Sequence, residues 1–242
     1  MFIDYKRRLI IKMSIYLTGD VHGQIDLAKL TKKNWKEQDN LSRNDYLIQL
    51  GDLGLLWKKD KTFEYLMDFY SSRKYILLWI DGNHSNFDML KEYPEEIWNK
   101  GKIHRIADNI IHLMRGQVFE INGGRFFTLG GAKSIDKEQR IEGISWWKEE
   151  ELNYQEQEEV LTNLDKYYYH IDYVLTHAAP KSLLQPMFHY NTLLDSTTER
   201  FLDEIYFRLD FKHWYFGHYH MDTNIDKKHS CLYYNIIPLG EY

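Results

Sequence analysis

Five short apolar runs in this sequence each stop at a side chain able to ligate a metal. That coincidence constrains the fold more than any other feature. Ile15-Tyr16-Leu17-Thr18 leads into Gly19-Asp20, and Tyr46-Leu47-Ile48-Gln49-Leu50 into Gly51-Asp52. The run from Tyr75 to Ile80 leads into Asp81-Gly82-Asn83-His84. Tyr173-Val174-Leu175 leads into Thr176-His177, and Trp214-Tyr215-Phe216 into Gly217-His218. Short apolar runs bounded by glycine and polar residues read as buried strands. Open α/β sheets build their sites beyond the carboxyl ends of such strands. Each residue taken singly is ordinary: Asp20, Asp52 and Asn83 suit turns or caps, and His177 suits a satisfied polar group. The pairs are more telling. Residues two apart in extended chain face the same side, which sets His218 beside His220 and Asp20 beside His22.

Helical patterns separate the runs. Apolar residues recur at helical spacing over Ile25 to Trp35, Phe63 to Tyr70 and Glu199 to Leu209. Trp147 to Leu164 has a helical composition, and its acidic stretch from Glu149 to Glu159 reads as a solvated face. Between Ile110 and Leu129 the pattern changes to consecutive strands, with turns at Gly116 and at Asn122-Gly123-Gly124. Cys231 to Pro238 is again extended. An α/β fold with two sheets packed face to face and helices outside follows. The 242 residues contain no linker, repeat or low-complexity tract, so residues 13–242 are expected to form a single domain. Residues 1–12 read as an N-terminal extension, because the first strand opens directly after Met13.

Composition narrows the partners. The net charge of −5 argues against gripping long duplex nucleic acid. No run is long and apolar enough to span a bilayer, and the N-terminus lacks the features of a secretory signal. The single cysteine, Cys231, excludes an intrachain disulfide and fits a cytoplasmic setting.

Gly19-Asp20-Val21-His22-Gly23, Gly51-Asp52-Leu53-Gly54, Gly82-Asn83-His84, Thr176-His177 and Gly217-His218-Tyr219-His220 together resemble the ordered motifs of the calcineurin-like metallophosphoesterase superfamily. The resemblance runs from near residue 14 to near residue 222. It implies a four-layer αββα sandwich with two mixed β-sheets flanked by helices. It also implies two divalent cations. Asp20, His22 and His220 would hold the first, Asn83, His177 and His218 the second, and Asp52 would bridge them. His84 would stand beside the metals as a proton donor. Such a pair, roughly 3.5–4 Å apart, activates a bridging water to hydroxide for in-line attack on phosphorus. The mixed imidazole, carboxylate and amide ligands suit manganese first, with iron, zinc or nickel as alternatives, better than magnesium, which prefers all-oxygen shells.

The chain departs from the serine/threonine phosphatase branch, which carries Asp-Arg-Gly after the second motif and Glu after Gly-Asn-His. Here Leu55-Leu56-Trp57 follows Gly54, and Ser85 follows His84. The Gly217-His218-Tyr219-His220 ending resembles the phosphodiesterase and nuclease branch. The expected substrate is a phosphodiester in a nucleotide or short nucleic acid. A phosphomonoesterase on a small metabolite is the alternative, followed by a non-catalytic scaffold of the same fold. The loop from Gly130 to Trp147 either supplies Lys133 and Arg140 to the substrate and an aromatic to a base, or is a structural turn over packed tryptophans. Asp81 is a candidate to orient a neighbouring histidine. His104, His112, His170, His189, His213 and His229 read as surface or core residues.

Overall fold

The computed structural model describes residues 13–184, 187–188 and 195–241. The expected extension at residues 1–12 lies outside the described residues, as does His189. The chain runs β1 (Ile15–Thr18), β2 (Tyr46–Gln49), α1 (Lys61–Ser71), β3 (Ile76–Trp79), α2 (Phe87–Leu90), β4 (Glu95–Trp98), β5 (Gly101–Ala107), β6 (Ile110–Leu113), β7 (Gln117–Ile121) and β8 (Gly124–Leu129). It continues through α3 (Tyr154–Asp165), β9 (Tyr173–Thr176), α4 (Lys181–Leu184), α5 (Thr197–Tyr206), β10 (His213–Phe216), β11 (Thr223–Asn224), β12 (His229–Cys231) and β13 (Ile236–Pro238).

Two mixed sheets result. One has the order β13-β1-β2-β3-β6-β5-β4, the other β11-β12-β10-β9-β8-β7. Neighbouring residues in each central strand divide between layers, as a period of two requires. Ile48, Leu78, Phe126, Leu175 and Tyr215 join one buried cluster, so the inner faces of both sheets meet there. Leu47 and Leu77 pack outward beneath Leu66 and Tyr70 of α1. Phe127, Val174 and Trp214 pack outward against Val160 and Leu164 of α3 and Phe201, Leu202 and Ile205 of α5. Three apolar layers separate four layers of structure, which is the αββα sandwich. No helix among the described residues is long and apolar enough to cross a membrane.

Local signals account for the helices. Asp60 caps α1 by accepting from the amides of Thr62 and Phe63, and Asn153 with Glu156 forms a reciprocal capping box on α3. The helix expected over Ile25 to Trp35 reduces to a 3-10 turn at Leu27–Leu30. The Thr31 hydroxyl and the Asn34 amide both bond the Ala28 carbonyl, at 2.7 and 2.8 Å, and so take an acceptor the helical ladder would need. The pattern from Trp147 to Leu164 is likewise broken into a 3-10 turn at Lys148–Glu150 and α3.

The strands read between Ile110 and Leu129 exist but divide between sheets. β6 lies in the seven-stranded sheet, and β7 and β8 in the other. The Asn122-Gly123 turn is a true hairpin, with φ of 50° and 78° at its two residues. Gly116, by contrast, lies on the crossover between sheets. β4 and β5 are absent from the sequence expectation; β4 is an edge strand that leaves Glu95 and Ile97 exposed and so carries no buried apolar run.

Candidate metal centre

β1, β2 and β3 run parallel in one sheet, and β9 and β10 run parallel in the other. Their carboxyl ends gather at one end of the sandwich. Asp20, Asp52 and Asn83 therefore arrive from the first sheet, and His177, His218 and His220 from the second. The join is direct. The Leu50 carbonyl lies 2.8 Å from His177 Nδ1, and the His218 amide donates to Asp20 Oδ1 at 2.9 Å.

The backbone at this junction is strained. His22, Asp52, His218 and His220 adopt φ of 50°, 53°, 68° and 51°, a left-handed region costing roughly 1–2 kcal/mol for a residue with a Cβ. Such strain persists only where surrounding structure enforces it, and it concentrates at functional sites.

Two overlapping groups of ligand atoms each lie within 4.8 Å: Asp20 with His22 and His220, and Asp20 with Asp52 and His177. Asp52 Oδ2 stands 3.6 Å from His22 Nε2 and 3.4 Å from His177 Nε2, between the imidazoles of the two groups. Asp20 Oδ2 is 3.3 Å from His220 Nε2. Asn83 Oδ1 is 3.1 Å from His177 Nε2, and the His218 ring centroid is 5.0 Å from that of His177. Five of the seven side chains read as ligands from the sequence lie in these groups, Asn83 touches His177, and His218 packs on the His177 ring without joining either group.

Charge balance shows what this site accommodates. Burial would raise the Asp52 carboxyl, but the His177 and His22 imidazoles override it and hold Asp52 well below the ordinary carboxylate range. Burial disfavours charge on His22 and His177 as well, yet Asp52, Asp26 and Asp20 push His22 up to about 9, and Asp52, Asp20 and the Leu50 carbonyl push His177 up to about 9. Burial and the neighbouring His177 push His218 down to about 3. Without a cation the carboxylates favour protons on His22 and His177, and a cation that binds displaces such protons. Asp20 Oδ2 is buried, and among the described residues it has no well-formed hydrogen bond, only the His220 imidazole at 3.3 Å. A buried carboxylate oxygen in that condition fits a metal ligand.

The family described as Calcineurin-like phosphoesterase matches residues 13–222. The chain belongs to it. No curated protein sequence matches the chain. Among solved structures, the crystal structure of phosphopantetheinyl hydrolase from Mycobacterium tuberculosis aligns with a TM-score of 0.44 at 14% identity, covering 92% of this chain and 90% of that one. As a calcineurin-like phosphoesterase the chain is a metal-dependent phosphoester hydrolase, with Asp and His groups placed to bind metal.

Around this phosphoesterase centre, His84 donates its backbone amide to Asp52 Oδ1 at 2.7 Å and turns its ring toward the opening. Arg140 Nη1 lies 3.1 Å from His84 Nδ1. A guanidinium only donates, so Nδ1 accepts and the neutral ring carries its proton on Nε2. Burial first, then Arg140 and the other imidazoles, lowers the His84 pKa in the free site. Asp136 grips Arg140 through Nε and Nη2 at 2.7 and 2.8 Å. Lys133 donates to the Asp195 carbonyl at 2.8 Å and lines the cavity beside Asn83.

Two cavities of about 470 and 460 Å³ are both lined by His84 and Arg140. The first is walled by Ile25, Leu55, Trp57 and Phe63 and reaches the centre at His22. The second holds Asp52, Asn83, His218 and His220 and is walled by Lys133, Glu199 and Tyr219. Trp147 lies buried with its indole nitrogen donating to Asp88, which answers the packing alternative for that residue.

Asp81 orients a histidine, but not one of the site. Its carboxylate lies 3.2 Å from His112 Nε2 and accepts from Arg115 Nε at 2.7 Å. Of the remaining histidines, His104, His112, His213 and His229 are buried, and His170 pairs with Asp210 at the surface. The sequence reading missed Glu150, which belongs to the supposedly solvated acidic face. It is buried and accepts from the Ser134 hydroxyl at 2.6 Å, and Ser134 Oγ in turn accepts from the Asn83 amide at 3.1 Å. The chain Glu150–Ser134–Asn83 leaves Asn83 Oδ1 facing His177. Nothing in the spacing of these residues signalled it.

Proposed function

We propose that this phosphoesterase hydrolyses a phosphodiester, in a nucleotide or a short nucleic acid, at a binuclear centre of Asp20, His22, Asp52, Asn83, His177, His218 and His220. The observation that carries the diester reading is the pair of cavities meeting at His84 and Arg140. A phosphorus atom over the ligands of the second cavity would have one substituent there and room for another in the first, whereas a monoester would leave the first cavity idle.

Two divalent cations there, manganese first among manganese, iron, zinc and nickel, would supply Lewis acidity and a water activated at neutral pH. The protein's own groups do the rest. Asp52 lies between the two groups and would bridge them. Arg140, its guanidinium fixed by Asp136, donates to a phosphoryl oxygen and loses little freedom in doing so. A bound phosphate anion beside His84 reverses the local field and raises its pKa. His84, once protonated at Nδ1 as Arg140 turns to the phosphoryl oxygen, gives its Nε2 proton to the oxygen of the breaking P–O bond and is left neutral. Trp57 and Phe63 offer aromatic surface to a base or another flat group. Lys133 supports the other arm.

The test compares kcat/KM for bis-p-nitrophenyl phosphate, p-nitrophenyl phosphate and cyclic and linear nucleotides, with manganese added. Diesters are expected to be preferred, and chelation to abolish turnover. Monoester preference would reassign the enzyme as a phosphomonoesterase. A folded, metal-loaded chain inactive on both classes would favour a scaffold.

A further inference from the structure

An imidazole holds a metal well only when its other nitrogen or its ring plane is fixed by a neighbour. His177 has the Leu50 carbonyl for this purpose. Within the other group, His22 has Asp26, whose Oδ2 lies 2.9 Å from His22 Nδ1. A carboxylate at that nitrogen keeps the proton on Nδ1 and leaves the Nε2 lone pair toward Asp20 and Asp52. His220 is half exposed and needs a different restraint.

One residue meets both imidazoles. The Tyr233 hydroxyl donates to Asp26 Oδ1 at 2.9 Å, and the Tyr233 ring stacks on His220 with centroids 4.7 Å apart and planes inclined by 13°. Tyr233 is itself held at both ends. Its amide donates to Asp222 Oδ1 at 2.9 Å, and its carbonyl accepts from Lys29 Nζ. The buried Lys29 ammonium also donates to the carbonyls of Gly19 and Asp20, at 3.1 and 2.6 Å. The phenol is thereby referenced to the backbone that carries Asp20. It also lies beyond residue 222, where the family match ends.

We infer that Tyr233 is a positioning residue for the cation site of Asp20, His22 and His220, setting His22 through Asp26 by its hydroxyl and His220 by its ring. The inference rests on the reading of this cluster as a metal centre, so the test measures metal binding rather than turnover.

Apo wild type, Tyr233→Phe and Tyr233→Ala are titrated with Mn2+ alone by calorimetry, with folding checked by circular dichroism melting. Wild type is expected to bind at two sites. Tyr233→Phe keeps the stacked ring and loses the hydroxyl, so one site should weaken about 3- to 10-fold. Tyr233→Ala loses both and should weaken the same site about 10- to 100-fold, the range for loss of a partner behind a ligand. The other site should be unchanged in both variants. Folded variants that bind at both sites as wild type does would overturn the inference and leave the metal centre standing. Equal weakening of both sites would also overturn it, by showing a general structural role. A wild type that takes up no Mn2+ would overturn the metal-centre reading and the inference with it. If Tyr233→Ala fails to fold, Tyr233→Phe decides.

Discussion

His84 illustrates how one residue serves two purposes here. Its backbone amide holds Asp52, while its ring, displaced toward the opening, faces the two cavities and Arg140. Substituting the side chain leaves the amide in place. His84→Asn is therefore expected to keep its metal content and to lose turnover, by about 10²- to 10⁴-fold on esters with poor leaving groups and much less on p-nitrophenyl esters. Metal analysis beside kcat for a series of leaving groups checks this. Equal losses across the series would rule out proton donation. Glu199 offers a second prediction of a different kind. Its Oε1 accepts from the Tyr219 hydroxyl at 3.0 Å, and its buried Oε2 has no partner among the described residues. Burial raises its pKa to about 7 from a model-compound value of 4.5. A folded pKa above the unfolded one means that the group's contribution is fully present below about 4.5 and is lost as pH rises through about 7. Glu199→Gln keeps an acceptor for Tyr219 and removes the ionisation. The variant should melt a few degrees above wild type at pH 8 and close to it at pH 5. A variant that melts lower at pH 8 would show that the carboxylate is held as a stabilised anion.

At the scale of the element, the turn after β2 decides the geometry of the centre. Gly51 adopts φ of 94°, and a Cβ at this position would fall on the His177 imidazole. Gly51→Ala must strain the turn and displace His177 together. It is expected to lower stability by about 2 kcal/mol or more and to reduce metal content, in contrast to an ordinary loop glycine. A melting temperature and metal-to-protein ratio matching wild type would refute this. The same element shows what a sequence makes legible. Strands that end in Gly-Asp or Gly-His could be read directly, because apolar runs are local and glycine marks the turn. The strained φ at Asp52 and His218 could not, because those residues are not glycine and only contacts with segments distant in the chain impose the conformation. Glu150, Tyr233 and Lys29 were equally opaque. Each acts through a side chain that crosses to a segment distant in the chain, and no periodicity encodes such a contact. Ile25 to Trp35 was misread for the converse reason: its apolar spacing is helical, but Thr31 and Asn34 divert the carbonyl that the helix needed.

For the whole molecule, the decisive point is that the site spans both sheets. Asp20, Asp52 and Asn83 come from one and His177, His218 and His220 from the other, at an edge where Leu50 and His177 already touch. Cations bound there would tie the two inner faces of the sandwich together, and the unfolded chain offers no such site. A ligand that binds only the folded state stabilises it by RT ln(1 + [L]/Kd), about 4 kcal/mol at a thousand-fold excess over Kd. For a chain of this size each kcal/mol moves the melting temperature by about 2–4 °C. Removal of metal by chelation should therefore lower the melting temperature by on the order of 10 °C, and excess Mn2+ should restore it. Asp52→Asn removes the carboxylate that lies between the two groups, so its melting temperature should respond much less to added Mn2+. Differential scanning calorimetry of both proteins, with and without chelator, measures the difference. A chelator-insensitive wild type, or an Asp52→Asn variant that gains as much from Mn2+ as wild type, would contradict the cross-link between the sheets.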